Sequence, residues 1–342
     1  MMVQSKNLSY LTGLFFILSI ASLSLIAEPK LELKQITLLD KNISTIEKGF
    51  KLKNKPKLIL LSGPTDNWHS DLAWWILGQN YLAKNYQTLA VERASQGFSD
   101  IIEKPSYRDF AERLKVLIKD EKEPVVIVAF ASSNLSVQLV LQDIEVARKV
   151  KGVVFIDPDV LTKHALNHYT GESENYRKNW QQLEDYIKAG KYQERIEKKI
   201  AGEKQHLAEI IPAKYENLMD WPLYEQYELQ RKKPEYQINK FKEVTAYKKD
   251  LEAAMAVNTP TQVPLVILDT DFETAYLKTL DDEKVKASIV QWRDEGKAQF
   301  FHMASHHSCS AYWPVKSQEH LLTYTRPDLI ERAVQRLENC KD

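Results

Sequence analysis

Past residue 30 the chain alternates short apolar runs with longer stretches of helical spacing. Leu31–Leu39 and Gly49–Lys53 have the length of short opening strands. Lys57–Leu61 (KLILL) predicts a buried strand that stops at Ser62-Gly63-Pro64, followed by helical spacing over Leu72–Leu82. Tyr86–Val91 predicts the next strand. Over Tyr107–Lys119, Phe110, Leu114 and Leu117 fall on one helical face. Val125–Phe130 (VVIVAF) is apolar at every position, as in a parallel strand covered on both sides. A helix over Leu135–Val146 and a strand at Gly152–Ile156 continue the alternation. It resumes at Pro264–Leu268, with a helix to about Arg293, a strand at Ala298–Met303 and a closing helix at Asp328–Glu338. Strands alternating with helices predict an α/β fold with a mostly parallel sheet.

Two stretches break the pattern. From Thr162 to Val257 no strand-like apolar run occurs. The spacing there is helical, and the stretch holds nine of the chain's 16 tyrosines. It predicts a helical cap, 162–257, inserted into a core made of 28–161 and 258–342. At the other break, Leu8–Ala27 is apolar behind Lys6 and ends at Glu28-Pro29, which reads as a secretory signal over 1–27. A run of about 20 apolar residues also suffices for an uncleaved anchor, which is the alternative. Export to the periplasm or medium is the expectation. In an oxidising compartment Cys309 and Cys340 either pair or remain as two thiols.

Composition adds exclusions. Lys+Arg and Asp+Glu are both 47, so no basic excess points to nucleic acid. The expected partner is a small molecule, with no membrane association beyond the possible N-terminal anchor. Nothing calls for a cofactor. His306, His307 and Cys309 have the donor types of a metal site, but no fourth ligand is evident and none is assigned.

The turn Glu92-Arg93-Ala94-Ser95-Gln96-Gly97-Phe98-Ser99-Asp100 resembles the D-R-x-G-x-G-x-S-D turn of α/β-hydrolases, with Glu92 for Asp and Ser95 for the first Gly. Lys57–Trp75 is similar to that family's third strand and oxyanion loop, with Ser62-Gly63 where His-Gly is usual. Val150–Pro158 is similar to its sixth strand. Gln318–Ile330 resembles its G-H-F-x-x-x-x-x-P-E-L-V segment, with Glu319 for Gly. The matches keep the family order from about Lys57 to Leu337, apart from the insertion. The resemblance implies an α/β-hydrolase fold with a helical cap after the sixth strand. It also implies an esterase-like serine hydrolase acting on a small apolar ester.

The family places its nucleophilic serine between small residues on a strained strand-to-helix turn. Here Val125–Phe130 runs into Ala131-Ser132-Ser133-Asn134. Small flanks favour Ala131 at the tip, which removes the hydroxyl. Other registers put Ser132 or Ser133 there. The hydrolase reading assigns Ser132 as nucleophile, His320 as base (His306 its rival) and Asp271 as acid, with Asp269, Asp157 and Asp159 as alternatives. Gly63 and Thr65 fall at the oxyanion loop. The other reading is an inactive relative that binds a small ligand or an envelope partner.

Overall fold

The computed structural model describes residues 33–63 and 69–340. The signal segment 1–27 and Thr65 lie outside the described residues. Strands β1 (Lys34–Leu38), β2 (Lys41–Lys48) and β3 (Lys57–Leu61) open the chain. Then come α1 (Ile76–Leu82), β4 (Thr88–Val91), α2 (Tyr107–Asp120), β5 (Val125–Phe130), α3 (Ser133–Val140), the one-turn α4 (Ile144–Ala147) and β6 (Val150–Ile156). Five helices follow without an intervening strand: α5 (Lys163–Lys178), α6 (Trp180–Lys188), α7 (Gln193–Ile210), α8 (Trp221–Gln230) and α9 (Pro234–Met255). The sheet resumes with β7 (Leu265–Asp269), α10 (Phe272–Leu277), α11 (Glu283–Ala304), β8 (Ala311–Pro314), α12 (Leu322–Thr325) and α13 (Pro327–Glu338).

The eight strands form one sheet in the order β1-β2-β4-β3-β5-β6-β7-β8. β2 runs antiparallel to β1 and β4, and every pairing from β4 to β8 is parallel. Leu58, Leu60, Val126, Val128, Val154 and Val266 pack into one hydrophobic layer. The alternate residues Ile59, Leu61, Ile127, Val153 and Ile267 pack into the opposite one. That period of two on two buried faces is why these strands read as unbroken apolar runs.

Helix starts are chemically marked. Ser106 Oγ accepts from the Asp109 N–H, Thr162 Oγ1 from Ala165 and Asp220 from Leu223, each capping a free amide. Pro222 and Pro234 stand in the first turns of α8 and α9, where no N–H partner is needed.

Two predicted strands are corrected. Gly49–Lys53 is not a strand. The second strand is the preceding Lys41–Lys48, whose Ser44 and Thr45 are buried but polar. Ala298–Met303 belongs to α11. The buried residues Ile289, Trp292, Gly296, Phe300 and Met303 recur at helical spacing, while Phe301 is exposed. The last strand is the four-residue Ala311–Pro314, too short to stand out and closed by a proline of the kind an edge strand tolerates.

Cys309, just before β8, and Cys340, just past α13, form a disulfide with Cα atoms 5.6 Å apart and a sequence separation of 31. Closing a loop of that length restricts the unfolded chain by about 3–4 kcal/mol. Cys309→Ser/Cys340→Ser is therefore expected to lower the free energy of unfolding by an amount in that range and the urea midpoint with it, and reductant is expected to do the same to the wild type. Equal midpoints for oxidised, reduced and substituted protein would rule this out.

Candidate functional site

The parallel strands end on one side of the sheet, where ligands bind in such folds. After β5 the chain turns at Ala131, which has φ +49°, and enters α3 through Ser132 at φ −59°. A left-handed residue with a Cβ costs about 1–2 kcal/mol, so the turn is held by its surroundings. Gly63 does much of the holding: a Cβ there would lie 1.9 Å from the Ser133 nitrogen and 2.5 Å from the Phe130 oxygen. The Ala131 N–H donates to Ile156 O at 2.9 Å.

Ala131 is therefore the residue at the tip. Ser132, assigned above as nucleophile, sits one position into the helix. Its Oγ lies 3.1 Å from Tyr247 Oη, and Tyr247 in turn donates to Asp159. Ser133 Oγ donates to Phe130 O at 2.8 Å. Both hydroxyls serve the turn and its neighbours. Tyr247 had no signal in the sequence beyond its place among the insertion's tyrosines.

Five residues separate His320 from β8 at Ala311–Pro314, whereas a strand at Ala298–Met303 would leave a long loop before it. Its Nδ1 lies 2.7 Å from Asp157 Oδ2. Asp157 closes β6 at φ +44° and also accepts from Thr270 N at 2.6 Å and Thr270 Oγ1 at 2.7 Å. A carboxylate that only accepts takes a hydrogen bond from the Nδ1 proton, so in the neutral form of the ring Nε2 is the acceptor.

The carboxylate His320 meets is thus Asp157 and not Asp271. Asp271 begins α10, its side chain 41% exposed and 3.9 Å from Lys297. Asp269 accepts from Tyr312 Oη at 2.5 Å. His306 is exposed at the end of α11, bonded to His302 O. Cys309 is bonded to Cys340, so its sulfur is not a free metal donor beside His307.

The departures from the resembling motifs have local explanations. Glu92, buried, accepts from the Phe98 N–H and Ser99 Oγ, each at 2.9 Å, spanning the turn from within. Gly97, at φ +49°, lies so close that a Cβ would meet Glu92 Oε1 at 1.7 Å. Burial pushes the Glu92 carboxyl well above its usual range. Glu319 accepts from the Leu321 N–H at 2.9 Å and faces His206 of α7 at 3.2 Å, tying the His320 loop to the inserted helices.

Two cavities open on His320. The smaller, about 110 Å³, is lined by Ala131, Asp157, Asp159 and His320. The larger, about 1020 Å³, runs from Ser132, Asp159 and His320 out between α5, α6, α7 and α9. Both include Asp159, Tyr169, Phe272 and His320 in their walls. Phe130 and Phe272 pack on the His320 ring at 4.7 Å between centroids.

No family model and no curated relative matches the sequence. Solved structures do match in shape. An α/β-hydrolase fold protein from Burkholderia ambifaria has a TM-score of 0.54 and 14% identity, over 88% of this chain and 96% of its own. A thermophilic esterase from Thermogutta terrifontis has a TM-score of 0.53 and 12% identity, over 89% and 96%. A variant of AqdC, solved with its substrate to explain recognition and ring-cleavage of the Pseudomonas quinolone signal, has a TM-score of 0.51 and 12% identity, over 90% and 100%. The chain has the α/β-hydrolase fold.

The site contains a titrating carboxyl. Burial, opposed by hydrogen bonds from Tyr247 and Ser132, raises Asp159 to about 6, against an ordinary value of about 3.9. The folded chain therefore holds a proton that the unfolded chain has released. This contribution is complete below pH about 4 and is lost as pH rises through about 6, on the order of 3 kcal/mol in all. Asp250 and Asp269, also raised to about 6 by burial, act in the same direction. Stability is expected to fall between pH 4 and 6, and less steeply in Asp159→Asn. Urea midpoints across that range give the slopes; identical slopes would remove Asp159 from the account.

Proposed function

We propose that this chain takes a small molecule into the cavity beneath the helices between β6 and β7. There the His320–Asp157 pair acts on it as a general base, without a covalent serine intermediate. One observation carries this reading: the pair is intact and faces the cavities, while the tip residue it would serve is Ala131. Asp157 orients the imidazole and offsets the charge that forms when Nε2 takes a proton. The methyl of Ala131 offers no nucleophile, so the proton comes from the ligand or from a water attacking it.

The fold supports this breadth without selecting among reactions, since folds of this kind host many. The structural neighbours include an esterase and a ring-cleaving protein. Ester hydrolysis through Ser132 is the less supported reading, because its hydroxyl is engaged by Tyr247 and lies off the tip. Export remains part of the proposal. The Cys309–Cys340 bridge suits an oxidising compartment, and the apolar run at 8–27 supplies the signal. Among the described residues no helix is long and apolar enough to cross a membrane.

A fluorophosphonate probe separates the readings. Wild type is expected to resist labelling. Ala131→Ser is expected to acquire it, and Ala131→Ser/His320→Ala to lose it again. Labelling of wild type that Ser132→Ala abolishes would restore the serine hydrolase. A folded Ala131→Ser variant that stays unlabelled would show that His320 does not address the tip.

A further inference from the structure

We infer that the larger cavity selects an aromatic anion, its negative group held at the α7 lip by Arg195 and Lys199 and its other end turned to His320. This rests on the His320 site being where the ligand is received.

The first observation is the distribution of charge. Arg195, Lys199 and His206 occur at spacings of four and seven along α7, which brings them onto one face, and all three line the cavity. His206 is matched by Glu319. The Lys199 ammonium lies 3.9 Å from Glu203, whose carboxylate is bonded to Arg231 at 2.5 Å. Among the described residues no carboxylate lies within 4 Å of the Arg195 guanidinium; its neighbour is the Tyr192 ring, 5.9 Å away. The acidic groups gather at the other end, where Asp157, Asp159 and Glu319 surround His320. A bound anion is repelled there and attracted at α7, which fixes its direction.

The second observation is the wall between these poles. Tyr176 and Tyr192 each meet Phe241 edge to face, with centroids 5.0 and 5.7 Å apart, and Tyr186 meets Tyr192 at 6.4 Å. Tyr186 remains 41% exposed at the lip. Rings in edge-to-face arrays favour a further ring over an aliphatic chain. A volume of about 1020 Å³ accommodates a ligand of two or three rings.

Two fluorescent probes of similar shape test this on the purified full chain: anionic 1-anilinonaphthalene-8-sulfonate and neutral N-phenyl-1-naphthylamine. Arg195→Gln/Lys199→Gln is expected to weaken the sulfonate tenfold or more and the neutral probe less than twofold. Arg195→Lys/Lys199→Arg is expected to keep both within threefold. Added salt is expected to weaken the sulfonate alone. Val244→Trp, which fills the cavity, is expected to abolish both signals. Equal losses for the two probes, no loss for either, or sulfonate binding that survives Val244→Trp overturns the inference. Phosphonate labelling of Ala131→Ser reads the base independently of both probe affinities. A failed base assignment, read by phosphonate labelling, is therefore distinguishable from a failed ligand assignment.

Discussion

The strand ends depend on the approach of the Gly63 backbone to the turn after β5. Any side chain at 63 collides with the main chain of Phe130, Ser132 and Ser133. Around this contact the neighbouring loops take their places. Tyr107 donates to Gly63 O, and Arg93 donates to Ser62 O at 2.6 Å. The pressed turn holds Ala131 in a left-handed conformation that it would not choose in isolation. The sharp strand-to-helix turn thus persists with an alanine at its tip.

The helices between β6 and β7 are joined to the sheet by buried charge. Arg93, behind β4, pairs with Asp71 and with Glu243 of α9, all three side chains 1% exposed. Arg231 bonds Glu203 of α7 and Glu228 of α8, while Glu228 accepts from the Ser70 N–H at 2.9 Å. Glu203 is nevertheless raised to about 7, because burial outweighs the contact with Arg231. His69 beside them is pushed well below its usual value by burial and nearby cations, and so is neutral. Such networks add little net stability over apolar packing, yet losing one member strands the rest, typically at 3–5 kcal/mol.

Much of this was legible in sequence. The parallel strands were visible because burial on both faces makes them apolar throughout, and the elbow register because close packing demands small residues at 129 and 133. The misplacements have definite causes. Strand β2 hides its pairing behind Ser44 and Thr45, and Phe300-Phe301 mimics a strand although only Phe300 is buried. That error lengthened the apparent loop before His320. Choosing Asp157 over Asp271 required knowing which strand end lies nearest to β8's loop in space, and spacing along the chain does not encode it. Tyr247, Arg93's partners and the basic face of α7 acquire meaning only once the insertion is folded against the sheet.

Tyr247 ties the inserted helices to the strand ends. It belongs to α9, yet it bonds both Ser132 at the start of α3 and Asp159 past β6. Lifting α9 would break both bonds and open the paired charges of Arg93 and Glu243 to water. A ligand arriving by that route would face a barrier made of its own binding site. The α9 side of the cavity is thus bonded to the ends of two strands, while the α6 and α7 side presents the exposed ring of Tyr186.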